Sequence, residues 1–330
     1  MRIGCLGAAR IAPAALVAPA QVRGGAVLQA VAARDPQRAA AFAGRHGFLR
    51  SEGDYDALIA APDIDLIYNA LPVNLHAVWS IRALEAGKHV LCEKPFAMNA
   101  AEADAVLAAG QASGRRVIEA FHYRYHPGFA QLLAWIRAGA IGDVTGLDAA
   151  FSVPIADLGG TEIRHRPETG GGAFMDLGCY PLSWTLAVME AAPVTVEARA
   201  ILTPRGVDES LEASLMFAGG VEASLSASMA ANARFAARFT VTGERGRIEF
   251  LNPLAPQLGA RLSLTLDGRT ESVPLSRIST YAFQLDAVLA GLESGETLPT
   301  EGRAILRQQR ALDAVYGAAG LHHLRFGPAV

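Results

Sequence analysis

Lys94 is one of only two lysines in a chain whose other 27 cationic side chains are arginines. It sits in Glu93-Lys94-Pro95, directly after an apolar run, and Lys88 precedes it in Ala86-Gly87-Lys88-His89-Val90-Leu91-Cys92. Arginine stays charged at any working pH, whereas an ammonium can have its pKa tuned, so lysine here is a candidate for proton chemistry as well as a chance survival. A second group follows three glycines, in Gly170-Gly171-Gly172-Ala173-Phe174-Met175-Asp176-Leu177-Gly178-Cys179-Tyr180-Pro181. Asp176 and Tyr180 are spaced to share one helix face, with Trp184 next in line. Taken alone such a stripe is more often packing than chemistry, and Pro181 disturbs its register.

A third group, Gly7-Ala8-Ala9-Arg10-Ile11-Ala12, fits the dinucleotide pattern G-x-G-x-x-G/A with Ala9 at the middle position. The first glycine makes the turn, the small middle residue admits the pyrophosphate, and the last packs helix on strand. The helix N-terminus supplies donors and partial positive charge. Gly7, Ala8, Ala9, Arg10 and Ile11 are therefore expected to touch a cofactor. The second strand ends in Ala33-Arg34-Asp35. Asp35 serves as a helix N-cap, which leaves Arg34 for the adenine ribose and points to NADP, with NAD as the alternative.

The elements that must carry these groups are legible as an alternation. Apolar runs at 3–6, 27–33, 66–70, 89–92 and 117–120 read as strands. Helical patterns at 10–20, after Asp35-Pro36, at 74–86 and from Asn99 to Ser113 separate them, so βαβ units and a parallel sheet are expected. The segment Leu71, Pro72, Asn74, His76 follows one strand and Glu93, Lys94 the next. In such a sheet ligands sit beyond the strands' carboxyl ends, so these residues join the cofactor-binding set, His76 being equally readable as a helix-face histidine. After a helix at 127–138, strands at 145–153, 194–202, 211–217, 221–228, 235–241 and 247–250 follow with few helices between them. Gly219-Gly220 marks a hairpin, and alternation from Leu211 to Phe217 indicates a sheet with one covered face. The reading is an α/β chain with a doubly wound N-terminal domain (1–121) and a C-terminal α+β domain (122–330) built on a mostly antiparallel sheet, closed by helices at 281–292 and 303–318.

Composition narrows the rest. The formal net charge is -3 without like-charge blocks, which argues against nucleic acid and membrane surfaces as partners. Cys5, Cys92 and Cys179 are scattered, form no metal-ligand spacing and suit buried thiols in a reducing compartment. No apolar run reaches membrane-spanning length, and Gly7, Arg10 and Pro13 interrupt the N-terminal one, so no targeting segment, no metal and a cytoplasmic location are expected.

Together, Gly7–Ala12, Leu71–His76, Ala86–Pro95 and Gly170–Tyr180 resemble the glucose–fructose oxidoreductase / inositol dehydrogenase (Gfo/Idh/MocA) family. The resemblance implies a Rossmann domain plus an open-faced antiparallel sheet, often a dimer interface, hence a homodimer or higher homo-oligomer. It maps the family's catalytic lysine onto Lys94 and its aspartate onto Asp176. Many members carry histidine four residues past that aspartate, where this chain has Tyr180. Tyr180, Ala8-Ala9-Arg10, Ala33-Arg34-Asp35 and Glu119-Ala120-Phe121-His122-Tyr123-Arg124-Tyr125-His126-Pro127 resemble the branch of dimeric dihydrodiol dehydrogenase and xylose dehydrogenase. The same resemblance turns Arg164-His165-Arg166 towards the cleft, making Tyr123, Arg124, Arg164 and His165 candidate contacts to a sugar or polyol.

A secondary alcohol gives up a proton to a base and a hydride to nicotinamide. Free tyrosine, with a pKa of about 10, is too weak a base near neutrality. An ammonium at about 4 Å in an effective dielectric of about 20 stabilises a phenolate by roughly 4 kcal/mol, about three pKa units. A Lys94–Tyr180 pair, with Asp176 orienting the substrate or holding the lysine charged, is the expected machinery. A non-catalytic NADP sensor would need no such pair, and a short-chain dehydrogenase is disfavoured because no tyrosine has a lysine four residues on.

Overall fold

The computed structural model describes residues 1–326, which divide into two compact units. The first begins with β1 (Arg2–Leu6), α1 (Ala18–Arg23), β2 (Val27–Ala32), α2 (Pro36–His46), β3 (Arg50–Ser51), α3 (Tyr55–Ala60), β4 (Leu66–Asn69), α4 (His76–Glu85), β5 (His89–Cys92), α5 (Ala100–Ser113) and β6 (Val117–Glu119). The strands form one parallel sheet in the order β3-β2-β1-β4-β5-β6. Every residue of β4 is buried, as a sheet covered on both faces requires. Asp35 caps α2, its carboxylate accepting from Gln37 N (2.9 Å) and Arg38 N (3.4 Å), a contribution of about 1 kcal/mol. Asn99 caps α5 in the same way through Glu102 N (2.9 Å). The helix expected over 10–20 differs: a π turn, Pro13–Val17, precedes α1. Pro13 stands in the first helical turn, where its missing N–H costs no intrahelical bond.

The second unit spans Tyr123–Ile278 and the chain from Arg307 onward. It contains α6 (Pro127–Arg137), β7 (Val144–Ser152), α7 (Cys179–Met189), β8 (Thr195–Leu202), β9 (Asp208–Met216), β10 (Glu222–Ser228), β11 (Ala236–Gly243), β12 (Gly246–Leu251), β13 (Arg261–Leu266) and β14 (Arg269–Val273). Their sheet order is β14-β13-β12-β11-β7-β10-β9-β8, and every neighbouring pair is antiparallel except β10 with β7. In β9 Leu211, Ala213 and Leu215 are buried while Glu212 is exposed, the expected period of two. The expected strands omitted β13 and β14, although Leu262, Leu264 and Leu266 alternate ahead of an Asp267-Gly268 turn. They also omitted β3 and α3, which are too short to show a period.

The chain then returns to the first unit through α8 (Thr280–Ser294), which packs on α1 with Arg23 paired to Asp286. Arg116 binds the Glu301 carboxylate (2.9 Å), and Glu119 N donates to Thr300 O (2.8 Å), covering the open edge of β6. Residues 279–306 thus lie with the six-stranded parallel sheet, where the sequence assigns everything past 121 to the second domain. α9 (Arg303–Ala318) and α10 (His323–Phe326) complete the described chain. Cys5, Cys92 and Cys179 are free and buried. Among the described residues no helix is long and apolar enough to cross a membrane, and no cluster of His, Cys, Asp and Glu is placed to hold a metal.

Candidate active site

In the first unit, strand order reverses between β1 and β4, the position at which open parallel sheets bind ligands beyond their carboxyl ends. Gly7 leaves β1 with φ +97°, and a Cβ there would lie 3.3 Å from both Ala70 O and Leu71 Cδ2. Only glycine fits that turn without strain, so backbone lies open where a pyrophosphate needs it. Ala8 is buried, Ala9 and Ile11 half-buried and Arg10 exposed. At the end of β2, Arg34 is exposed and Asp35 is engaged as the cap of α2. Arg38 was not singled out from sequence; from the first turn of α2 its Nη2 donates to Ala8 O (2.8 Å). Burial raises the pKa of the Tyr55 phenol, while the charges of Arg34 and Arg38 pull it down, so both cations lie beside that ring. An open glycine turn flanked by two arginines fits a phosphate-bearing dinucleotide.

The next two strand ends are locked together by side chains. Asn69 Oδ1 accepts from Leu71 N (3.3 Å), and its Nδ2 donates to His76 O and Ser80 Oγ (both 3.1 Å). His76 is buried with Nδ1 2.9 Å from Pro95 O and Nε2 2.7 Å from Leu71 O. Burial lowers its pKa to about 4, so the ring is neutral and donates to one of the two carbonyls. His76 therefore ties the 71–76 turn to the Lys94-Pro95 turn, with both nitrogens on backbone. Pro72 is half-buried and Asn74 exposed on the outer side of the turn.

Lys94 stands half-buried just past β5, with a cis peptide to Pro95. Beneath it Tyr68 Oη donates to Glu93 Oε1 (2.6 Å), and Glu93 Oε2 accepts from Lys94 N (3.3 Å). Glu119 Oε1 accepts from Phe96 N (3.0 Å). Burial pushes the Glu119 carboxyl up to about 8, and neighbouring Glu93 adds to the rise. His122 is buried, with Nδ1 2.7 Å from Thr280 Oγ1. Burial, aided by the charge of Lys94, pulls its pKa down to about 3. Lys88 is different: its Nζ donates to Ala61 O (2.7 Å) and Ile64 O (2.9 Å), joining backbone in a structural role.

In the second unit, Asp176 lies in a π turn, Phe174–Gly178, that leads directly into α7. The Arg164 guanidinium spans two carboxylates, Nε to Asp176 Oδ2 (2.6 Å) and Nη1 to Glu162 Oε1 (2.9 Å). Tyr180 is only 6% exposed, its ring edge-on to Phe151 (5.6 Å between centroids) and Tyr123 (6.2 Å). Tyr123 is fully buried, its hydroxyl donating to Ser183 Oγ (2.7 Å). Arg124 lies over the Phe129 ring, 5.2 Å from its centroid, and His165 is buried with Nε2 2.8 Å from Ile155 O. His126 caps α6, its Nδ1 accepting from Gly128 N (3.0 Å), and its Nε2 lies 3.1 Å from Ser276 O.

Residues 1–121 match the family described as an oxidoreductase family with an NAD-binding Rossmann fold, and residues 129–249 match the GFO/IDH/MocA C-terminal domain. The chain is 32% identical over 323 residues to D-xylose 1-dehydrogenase (NADP(+)) 2 of Haloferax volcanii, covering 97% of each. It is 36% identical over 203 residues to trans-1,2-dihydrobenzene-1,2-diol dehydrogenase of Xenopus tropicalis, covering 61% of each. The crystal structure of KijD10, a 3-ketoreductase of Actinomadura kijaniata solved with NADP and TDP-benzene, has a TM-score of 0.87 and 27% identity, covering 96% of this chain and 97% of that one.

Proposed function

The chain belongs to the GFO/IDH/MocA family of NAD(P)-dependent oxidoreductases, and on that premise we propose that it is an NADP-dependent dehydrogenase or reductase of a sugar or related hydroxylated ring. The observation that carries this reading is the placing of Lys94 at the carboxyl end of β5, on the edge where the Gly7 turn and the 71–76 turn also emerge. Nicotinamide, when bound, supplies the hydride acceptor or donor. Gly7 to Ile11 hold the pyrophosphate, and Arg34 with Arg38 take the 2′-phosphate, since Asp35 is engaged as a cap. Tyr180 takes the proton of the substrate hydroxyl in oxidation and returns it in reduction. The Lys94 ammonium stabilises the phenolate and polarises the carbonyl oxygen. Asp176, fixed by Arg164, orients the ring hydroxyls.

The open face of the eight-stranded sheet, where Arg199, Glu212, Glu222 and Arg238 are exposed, is the surface we assign to pairing with a second copy of the chain. The relatives' names favour aldoses, dihydrodiols and nucleotide-linked keto sugars as substrates to try. Absorbance assays on these classes and on inositols, each with NADP and NAD, test the reading. Lys94→Met and Tyr180→Phe should each lower turnover about 100-fold or more while cofactor affinity survives. A strong NAD preference with an inositol would move the assignment to a polyol dehydrogenase. Cofactor binding without turnover of any class would favour a sensor.

A further inference from the structure

Behind the Asp176 turn lies a buried polar network that the catalytic reading does not use. Asp208, at the start of β9, has no exposed surface. Its Oδ2 accepts from Phe174 N (2.6 Å) and its Oδ1 from Tyr316 Oη (2.8 Å). Tyr316, fully buried on α9, in turn accepts from Met175 N (3.0 Å). Two backbone donors at the start of the π turn, orphaned by the helix geometry, are thereby satisfied from outside the helix. Arg325 lies behind them, fully buried, donating to Asp313 Oδ1 (2.8 Å) and Gln309 Oε1 (2.9 Å), reaching the Met175 sulfur, and lying 5.8 Å from the centroid of the Tyr316 ring. Gly172 completes the fit: it has φ +130°, and a Cβ there would collide with the Asp208 carboxylate and come within 2.8 Å of Tyr316 Oη.

We propose that Asp208 and Tyr316 are positioning residues that set the register of the Phe174–Gly178 turn, and through it the placement of Asp176 and Tyr180. The hydrogen-bond inventory supports a single arrangement. The lone phenol proton of Tyr316 goes to Asp208, its lone pair takes Met175 N–H, and the second carboxylate oxygen takes Phe174 N–H. Removing the phenol oxygen strands one donor and one acceptor in a place water does not reach. A π turn has one residue more per hydrogen-bonded ring than an α turn, so loosening its start lets the following side chains slip. Every member of the network belongs to the second unit, so the cofactor-binding residues of the first unit are untouched.

The inference rests on Asp176 and Tyr180 being the reacting groups, so Tyr180→Phe is measured alongside. The test uses the full chain with Tyr316→Phe and, separately, Asp208→Asn. NADP affinity is titrated, steady-state turnover is followed with D-xylose, and each buried thiol is mapped by labelling under native conditions. Cys179 is the internal reporter, since its Sγ lies 3.4 Å from Asp176 O at the end of the turn. In Tyr316→Phe we expect NADP affinity within twofold of the parent, kcat lower by roughly 10- to 100-fold with KM little changed, and Cys179 labelled faster while Cys5 and Cys92 stay protected. Unchanged kcat would overturn the proposal, whether or not Cys179 opens, because the network would then be a structural clasp only. If Asp208→Asn fails to fold, Tyr316→Phe alone decides the matter. Full turnover in Tyr180→Phe with lost turnover in Tyr316→Phe would sink the tyrosine mechanism and leave positioning of Asp176 standing. The reverse pattern would sink the positioning proposal alone.

Discussion

The molecule has two glycine-led turns that open onto helices through π turns, and they are held in different ways. Gly7 lies against the Ala70 backbone and the Leu71 side chain, and its turn makes main-chain contacts such as Gly7 N to Ala32 O (2.8 Å). After Gly172 the turn is gripped by side chains from distant sequence, Asp208 and Tyr316, with Arg164 holding Asp176. Both have a proline nearby, Pro13 at the start of the first π turn and Pro181 just past the second. The difference suits the roles proposed for the two turns. A phosphate is bound by bare backbone, so side chains must stay out of the way. A proton-transfer group has to be aimed, and aiming needs rigid support behind it.

The sharpest break is Gly172→Ala. The new methyl would meet the Asp208 carboxylate in a backbone conformation that alanine resists, so a loss of about 4 kcal/mol or more is expected, read as collapse of the thermal transition or of soluble yield. Arg34→Ala and Arg38→Ala address the two arginines proposed to take the 2′-phosphate beside the first turn. Each should raise the Kd for NADP by roughly 10- to 100-fold and leave that for NAD within a few-fold, measured by titration. Equal losses for both cofactors would mean that neither guanidinium reads the 2′-phosphate. Gly7→Ala should be milder than Gly172→Ala, because its neighbours stand at 3.3 Å. Strain of about 1–3 kcal/mol and a loss of cofactor affinity of roughly tenfold are expected, with the second unit unaffected.

Glu119→Gln probes a buried acid beneath the Lys94-Pro95 turn of the first unit. Its folded pKa of about 8 exceeds the ordinary value of 4.5, so the fold prefers the protonated carboxyl. That stabilisation is complete below about pH 4.5 and is lost as pH rises through 8. Glutamine keeps an acceptor for Phe96 N but cannot ionise, so the variant's thermal midpoint should depend less on pH between 5 and 8 than the parent's. An identical pH dependence would remove Glu119 from the groups that titrate on unfolding.

Much of this was readable in the chain because it is local. Asp35 and Asn99 announce helix starts through bonds to donors two or three residues away, and β4 and β5 announce themselves as apolar runs. The Gly7 turn carries its chemistry in a few consecutive residues. Lys94 and Lys88 look alike in sequence, and only tertiary contacts separate them: Lys88 ends on carbonyls of Ala61 and Ile64. Tyr123 and His165 look like ligand contacts in polar, aromatic segments, yet both turn inward, because phenol and imidazole bury readily once a hydrogen-bond partner is met. Arg38 hides among many arginines, and its partner, the Ala8 carbonyl, has no signature in the residue type. The Asp208–Tyr316 link spans more than a hundred residues and leaves no local pattern at all.

The return of residues 279–306 to the first unit has a bearing on how the protein is made. On the ribosome, the partners of Arg23, Arg116 and Ile118 emerge only after the whole stretch from Tyr123 to Ile278 has been synthesised. At about 5–20 residues per second, the nascent nucleotide-binding half waits roughly ten seconds or more with the edge of β6 and one side of α1 bare. A polypeptide severed after residue 122 would never receive that cover.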